Sequence, residues 1–536
     1  MHTHMHTSAP SEVYNWRVYA IAIVASMGAF LFGYDLAFIG TTITQKSFQE
    51  SVHHRRSLLR QITDPLHRDF GLLHDDQAKE DAFAANIVSL LQAGCFFGSL
   101  LAAPIGDRIG RRWALIISGA VFTIGSLLQT VSFGKTALMF VGRAIGGVGV
   151  GAASMLVPLY VAELSPPAIR GRLVGIYEIF VQVGTCIGFW ICYGIKINGP
   201  FGSMAWITPF AVQLIPGVLL MIGMFFTPES PRWLARYRGR DAGEAGLIKL
   251  RNLPIEHPYL QEEMLQIMDQ IEQEQQFSEG TGIKATMKIV RRKGNWNRLL
   301  IGMTMFIFMQ FAGSNAINYY SPRIFKSIGL TGTNTGLYAT GIYGVVRLVA
   351  VVIAMNFVVD RFGRTKMLMG GGAVMAFSMW FIGAYIKIAN PSASEQISAA
   401  GYAAVVFIYI FALGFCFSYA GVPWIYCAEI FPMNLRSVGV GICTATHWLL
   451  NFVIARSVPY MISNISYGTY FVFASMTTIG IFWVFFFVPE TKGLTMEEMD
   501  DLFGSADAVR SLDDAMNDLE GGKPGLVAQH IEVTKA

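Results

Sequence analysis

The chain has 536 residues, 53% of them hydrophobic and only 14% charged, with a mean hydropathy of +0.45 and a formal net charge of +4. A soluble protein of that length needs far more charge on its surface, so most of this chain must face lipid. The small net charge says little about partners, and no nucleic acid is expected among them.

The leading Met1-His2-Thr3-His4-Met5-His6 is accompanied by no second ligand cluster and reads as part of a disordered tail, 1–16, rather than a metal site. Runs of about 20 apolar residues, enough to cross ~30 Å of hydrocarbon, follow at 17–39, 83–104, 113–133, 137–160, 173–195, 207–227, 299–321, 336–358, 367–388, 402–425, 438–462 and 469–488. Span 1 leads straight into Gly33-Tyr34-Asp35 with no small-residue cleavage site, so it reads as retained. Spans 2 and 3 are joined by Gly106-Asp107-Arg108-Ile109-Gly110-Arg111-Arg112, and spans 8 and 9 by the related Asp360-Arg361-Phe362-Gly363-Arg364. A charged turn at equivalent places in two sets of six spans is an internal repeat of the kind transporters are built from.

Arg108, Arg111, Arg112, Arg170, Arg172, Arg361, Arg364, Lys366 and Arg436 all fall in loops on one side, which should be cytoplasmic together with both termini. The segment 40–82 then lies outside despite Lys46, Arg55, Arg56, Arg60 and Arg68; long loops weigh less in this rule, and Asp75, Asp76, Glu80 and Asp81 follow. Gly146, Gly147, Gly149 and Gly151 look like a phosphate loop but lie inside span 4, where small residues permit close helix packing. In 233–297, Glu262, Glu263, Asp269, Glu272 and Glu274 alternate with Leu260, Leu265, Ile267, Met268 and Ile271, an amphipathic helix, and Arg291-Arg292-Lys293 follows. Asn464-Ile465-Ser466 is an outside sequon in a loop too short to favour glycosylation. From 494 the chain is polar, with one candidate short helix at 495–503. All six cysteines fall inside or at the edge of spans, and no disulfide is expected.

The organisation is therefore an all-α membrane protein: a cytoplasmic tail 1–16, a six-helix bundle 17–232, an intracellular helical segment 233–297, a second six-helix bundle 298–493 and a cytoplasmic tail 494–536. Charges at the inner helix ends mix signs: Asp107, Glu163, Glu229, Asp360, Glu429 and Glu490 stand among Arg108, Arg111, Arg170, Arg361, Arg364 and Arg436. Carboxylates do not serve the positive-inside bias, which points to a cytoplasmic gate pairing across the halves when the inner side closes. Within the spans a charge costs at least ~3 kcal/mol. Asp35, late in outward-running span 1, and Arg143, early in inward-running span 4, both fall in the outer half, where they can pair and couple a proton. Arg347 lies eleven residues past the start of 336–358, too deep to reach either surface. Arg456, nearer an end, is read as snorkelling.

Pro158-Leu159-Tyr160-Val161-Ala162-Glu163, Arg170-Gly171-Arg172, Pro228-Glu229-Ser230-Pro231-Arg232-Trp233-Leu234, Asn318-Tyr319-Tyr320, Ala428-Glu429-Ile430-Phe431-Pro432 and Pro489-Glu490-Thr491-Lys492-Gly493, with the 106–112 turn, resemble the sugar porter family of the major facilitator superfamily from about Val13 to Gly493. Val13-Tyr14-Asn15-Trp16-Arg17-Val18-Tyr19 and Ala37-Phe38-Ile39-Gly40-Thr41-Thr42 are similar to its fungal quinate permease branch. The resemblance implies the major facilitator fold, the gate role above and, because an aspartate at position 35 paired with Arg143 marks symporters in that family, proton coupling. It implies a substrate pocket at Glu178, Gln310, Asn315, Arg347, Trp424 and Asn451. Four positions depart from the family pattern: Glu178 replaces a glutamine, Met309 the first of two glutamines, Arg347 an asparagine, and Cys416 a polar or acidic residue.

Arg347 presents a fork suited to a carboxylate, unless Glu178 neutralises it or it turns away from the pocket. The expectation is a monomeric plasma-membrane importer of a hydroxylated ring monocarboxylate, quinate-like or a uronate such as galacturonate, with a proton and without a cofactor. A proton-coupled neutral monosaccharide transporter is the alternative. No nucleophile–base pair, metal cluster or phosphate loop supports an enzyme.

Overall fold

An apolar stretch surrounded by lipid can satisfy its backbone only as helix, and all twelve expected spans are helical: Trp16–Gly40, Ala82–Ile109, Arg111–Thr130, Thr136–Leu164, Gly171–Asn198, Met204–Phe225, Gly294–Ser327, Thr335–Val358, Arg364–Ala389, Ala399–Ile430, Leu435–Ile465 and Gly468–Phe487. The structure, a computed structural model, describes residues 10–43, 77–133, 135–166, 169–198, 204–254, 256–277, 293–330, 333–391, 398–431, 433–492 and 502–503. The N-terminal histidines, the basic residues of 40–82, Arg291, Arg292 and most of 495–503 lie outside the described residues, as do the side chains of Arg170 and Asp360.

Two cores follow the repeat: one centred on spans 1 to 6, which also takes in Tyr319 and Tyr320 of span 7 and Trp448 and Val458 of span 11, and one centred on spans 7 to 12, which also takes in Ala37 and Phe189. Inside the first half, spans 2 and 4 meet backbone to backbone. A Cβ at Gly147 would fall 2.1 Å from the Leu91 carbonyl oxygen, so the glycines of span 4 are packing residues. The halves meet where span 2 packs on span 11, span 5 on span 8, and span 1 on the second part of span 7.

Several spans are broken, which the hydropathy pattern does not reveal. Span 7 is two helices, Lys293–Phe311 and Ser314–Ser327, separated by Gly313 in the left-handed region (φ +89°). Span 10 is Ala399–Phe417 and Val422–Ile430, interrupted at Ser418. Span 8 ends in a π-helical turn, Ala354–Val358. A broken helix frees backbone groups and re-aims side chains only where protein or a cavity receives them.

Between the halves, helices Pro231–Arg238, Arg240–Arg251 and Pro258–Phe277 form a small core with Val13, Leu247, Leu260, Met264 and Ile267. Leu265, expected on the apolar face, is exposed instead, because the stripe at 260, 264 and 267 follows the helical repeat and 265 falls outside it. Arg251 fixes this unit to the membrane domain, pairing with Glu263 (2.6 Å) and donating to the Leu164 carbonyl at the inner end of span 4 (2.8 Å). Asn464 occupies the last turn of helix Met433–Ile465 rather than a loop. Arg456 is half-buried near the outer end of span 11, where it donates to Asn86 and to the Ala82 carbonyl and lies over Tyr460, tying span 11 to span 2.

Gly40 of span 1 faces span 7 so closely that a Cβ there would lie 1.7 Å from the Tyr319 carbonyl oxygen. Gly40→Val should therefore hold the two halves apart and lower net uptake on the order of tenfold, as overpacking by 1–3 kcal/mol does. Initial uptake rates at matched surface expression check this; a rate near wild type contradicts the seam.

Candidate functional site

Three clusters of polar side chains hold the residues that sequence reading singled out. The first joins Asp35 and Arg143, both buried (1% and 0% exposed). Arg143 grips the carboxylate with both terminal nitrogens, Nη1 to Oδ1 and Nη2 to Oδ2 (3.1 Å), while its Nε donates to the Ile87 carbonyl (2.8 Å). The expected pairing of spans 1 and 4 is present. A fork-to-fork pair in a dry site is strong, and protonating the carboxylate removes most of that strength.

The second cluster is centred on Arg347, which is 3% exposed and turned into the protein. Its Nη1 donates to Ser314 (2.8 Å), Asn318 (3.0 Å) and the Tyr343 hydroxyl (3.1 Å), and its Nε to Gln182 Oε1 (2.9 Å). Nη2 makes no hydrogen bond among the described residues. The guanidinium is stacked between the rings of Tyr343 and Phe415, 5.5 and 5.1 Å from their centroids. Two chains of amides lead away from it. Along one, Asn318 donates to Asn315 (3.3 Å), Asn315 to Gln310 (3.0 Å) and Gln310 Nε2 to Nδ1 of His447 (2.9 Å). Along the other, Gln182 donates to Glu178 (2.7 Å). Every donor points away from the cation, so its charge polarises both chains. Glu178 and Arg347 are thus linked through Gln182, and no direct pair between them is present among the described residues.

Trp424 closes one wall, with ring centroids 4.8 Å from Phe306, 5.1 Å from His447 and 5.8 Å from Tyr177. Asn451 stands slightly apart: the Tyr319 hydroxyl donates to its Oδ1 (3.1 Å) and accepts from Gln92 (2.7 Å), joining spans 2, 7 and 11. Gln310, Asn315, Arg347 and Glu178 are therefore brought together, Trp424 walls them, and Asn451 belongs to a neighbouring network. Sequence reading overlooked Gln182, Ser314, Asn318, Tyr343 and His447. The helical repeat was the available signal, since Gln182 is four residues after Glu178, Tyr343 four before Arg347 and His447 four before Asn451.

The third cluster lies at the inner helix ends and repeats in the two halves. In the first, Arg111 bonds Asp107 (2.9 Å) and Glu163 (3.1 Å), and Glu229 accepts the backbone N–H groups of Arg111 (2.9 Å) and Arg112 (3.2 Å). In the second, Arg364 bonds Glu429 (2.8 Å), and Glu490 accepts the backbone N–H groups of Arg364 (2.8 Å) and Thr365 (3.1 Å) and the Thr365 hydroxyl (2.6 Å). Each carboxylate sits on a helix N-terminus, where backbone donors and the helix dipole favour an anion. Gly110 (φ +95°) and Gly363 (φ +84°) admit them: a Cβ would fall 2.3 Å from Glu229 Oε2 and 2.6 Å from Glu490 Oε2. These pairs close within one half each. Arg108 and Arg361 are exposed beside them, and Arg436 is partly buried near the inner end of span 11.

The sugar (and other) transporter family matches residues 21–503. The chain is 44% identical over 499 residues to a probable quinate permease of Aspergillus flavus, covering 92% of this chain and 89% of that protein. It is 42% identical over 500 residues to the quinate permease of Emericella nidulans, covering 92% and 90%. Among solved structures, the major facilitator superfamily proton:xylose symporter XylE bound to 6-bromo-6-deoxy-D-glucose superposes with a TM-score of 0.75 at 27% identity, covering 91% of this chain and 99% of that one. The partially occluded inward-open form of XylE from E. coli gives 0.71 at 26% identity, covering 90% and 100%.

The two inner clamps differ in titration. Burial pushes the Glu229 carboxyl up. Burial also acts on Glu490, but the Thr365 hydroxyl and the N–H groups of Arg364, Lys492 and Thr365 outweigh it and hold that carboxyl below the usual glutamate range. A depressed carboxyl stabilises the fold above the unfolded-state value, and that contribution is lost as pH falls through the folded-state value. Glu490→Gln should lower the Tm of purified protein at neutral pH, with the gap to wild type closing on acidification through the glutamate range. A gap independent of pH contradicts the clamp.

Proposed function

This chain belongs to the sugar transporter family, and from that premise we propose that it imports a hydroxylated ring monocarboxylate, quinate-like or a uronate such as galacturonate, together with a proton by alternating access. The observation that carries the reading is Arg347: a permanently charged guanidinium, buried at mid-span, with Nε and Nη1 committed to protein oxygens and Nη2 left for a ligand. An incoming carboxylate can take Nη2 and compete with Gln182 for Nε, which gives a charge-assisted contact in a largely dry site. Gln310, Asn315 and Asn318 offer amides to ring hydroxyls, and Trp424 offers a flat face to the ring. The relatives whose names state quinate transport support the same substrate class.

Proton coupling rests on Asp35. With the proton on, the carboxyl releases Arg143 and spans 1 and 4 of the first half can shift against each other; with the proton off, the pair re-forms. The inner clamps around Arg111 and Arg364 hold the turn of each half, and the charges at the inner helix ends gate between the halves. The basic inner loops support cytoplasmic termini, and a plasma-membrane location and a monomeric working unit are part of the same proposal.

The second reading, a proton-coupled neutral monosaccharide transporter, is favoured by Glu178, which supplies Arg347 with a negative partner through Gln182. Arg347→Asn separates the two. Affinity for a hydroxy acid should fall by a few kcal/mol, on the order of a hundredfold, while neutral sugars change much less, as read by competition uptake in a transporter-deficient yeast. Equal losses for charged and neutral ligands favour the second reading. Asp35→Asn should abolish pH-dependent uphill accumulation and preserve substrate exchange across the membrane, because the oxygen acceptor remains and its titration does not. Wild-type pH dependence in that variant contradicts the coupling role.

A further inference from the structure

We propose that Glu178 is a second proton acceptor in the transport cycle, loaded when the substrate's carboxylate takes Arg347. The inference rests on the anionic substrate just proposed and concerns what that anion does to the charge balance of the site. Glu178 is 7% exposed and receives one hydrogen bond from a described side chain, that of Gln182, one helical turn away. Gln182 in turn accepts from Arg347 Nε. The carboxylate and the cation therefore compensate each other through a single amide.

The titratable and charged groups around Glu178 are few. Tyr177 adjoins it on span 5, Arg347 and Tyr343 face the cluster from span 8, and Cys416 of span 10 lies within electrostatic range of both Glu178 and Arg347. Asp35 of span 1 is committed to Arg143, and His447 of span 11 packs against Trp424, whose ring also meets Tyr177. Arg347 is the cation this cluster contains among the described residues. When a second carboxylate arrives, two anions share one guanidinium in a water-poor cavity. A net buried negative charge there is costly, and the direct contact to Arg347 favours the ligand over a carboxylate that reaches it only through Gln182.

The balance is simple. Glu178 is taken as ionised before binding and balanced by Arg347 through Gln182, with the substrate an anion in water. Afterwards the substrate anion is on Arg347, and one proton from water has become the O–H of Glu178, which retains the Gln182 hydrogen bond through its carbonyl oxygen. No bond other than O–H is made. Release on the inner side reverses the exchange, so Glu178 carries a proton only when the ligand carries a charge. Together with a proton on Asp35, each monoanion would move with two protons and one net positive charge.

Calorimetric titration of the purified full-length protein with quinate, in two buffers of different ionisation enthalpy near neutral pH, reads the protons taken up on binding. Wild type should take up about one proton per quinate more than Glu178→Gln does. Should that variant fail to fold, an infrared difference spectrum of Asp35→Asn protein with and without quinate should gain a carboxylic-acid carbonyl band and lose a carboxylate band. Equal proton uptake with and without Glu178, or quinate binding with no new acid band, overturns the inference alone. Wild-type protein that binds neutral hexoses and not quinate overturns the substrate reading and this inference with it.

Discussion

A guanidinium that cannot lose its charge, buried in a chain otherwise built to face lipid, constrains everything around it. Arg347 is compensated by distribution: three oxygens on Nη1, one on Nε, two aromatic faces, and a distant carboxylate reached through Gln182. Single removal of a buried charge partner is strongly destabilising, so a cation held by many weak neutral acceptors has an advantage. A ligand can displace one of them without leaving the charge bare. The polarised amides running to His447 extend the same field along the wall where ring hydroxyls would lie.

The broken spans are what make that arrangement possible. Gly313 breaks span 7 just before Ser314, Asn315 and Asn318, which all meet the Arg347 cluster. Elsewhere the helices pack closely. Spans 2 and 4 touch through glycine, and the inner turn of each half is pinned by a carboxylate on a helix N-terminus.

Much of this was legible in the sequence because hydropathy acts over whole spans and lipid leaves helix as the available answer: all twelve spans and the two-fold repeat could be read directly. The Asp35–Arg143 pair was legible because topology places both at one depth. The inner charges were legible as a cluster. Glu163 and Glu429 close on arginines of their own half, since the repeated turn brings the partner within a few residues of the neighbouring helix end. Span breaks were invisible because one glycine or serine barely changes mean hydropathy. Gln182, Asn318 and His447 were missed for a related reason: a neutral polar residue in a span carries a weak signal until the helix faces it belongs to are known. Arg456 was judged by depth alone, whereas Asn86 on the facing helix decides its place.

The central claim is that a buried guanidinium reads a charge on the substrate, and competition against labelled quinate uptake by quinate and by its methyl ester tests it most directly. The two ligands share a ring and its hydroxyls and differ in the carboxylate. The account predicts that the free acid competes at least about tenfold better than the ester, the discrimination that one charge-assisted contact supplies. Equal competition by acid and ester would contradict it.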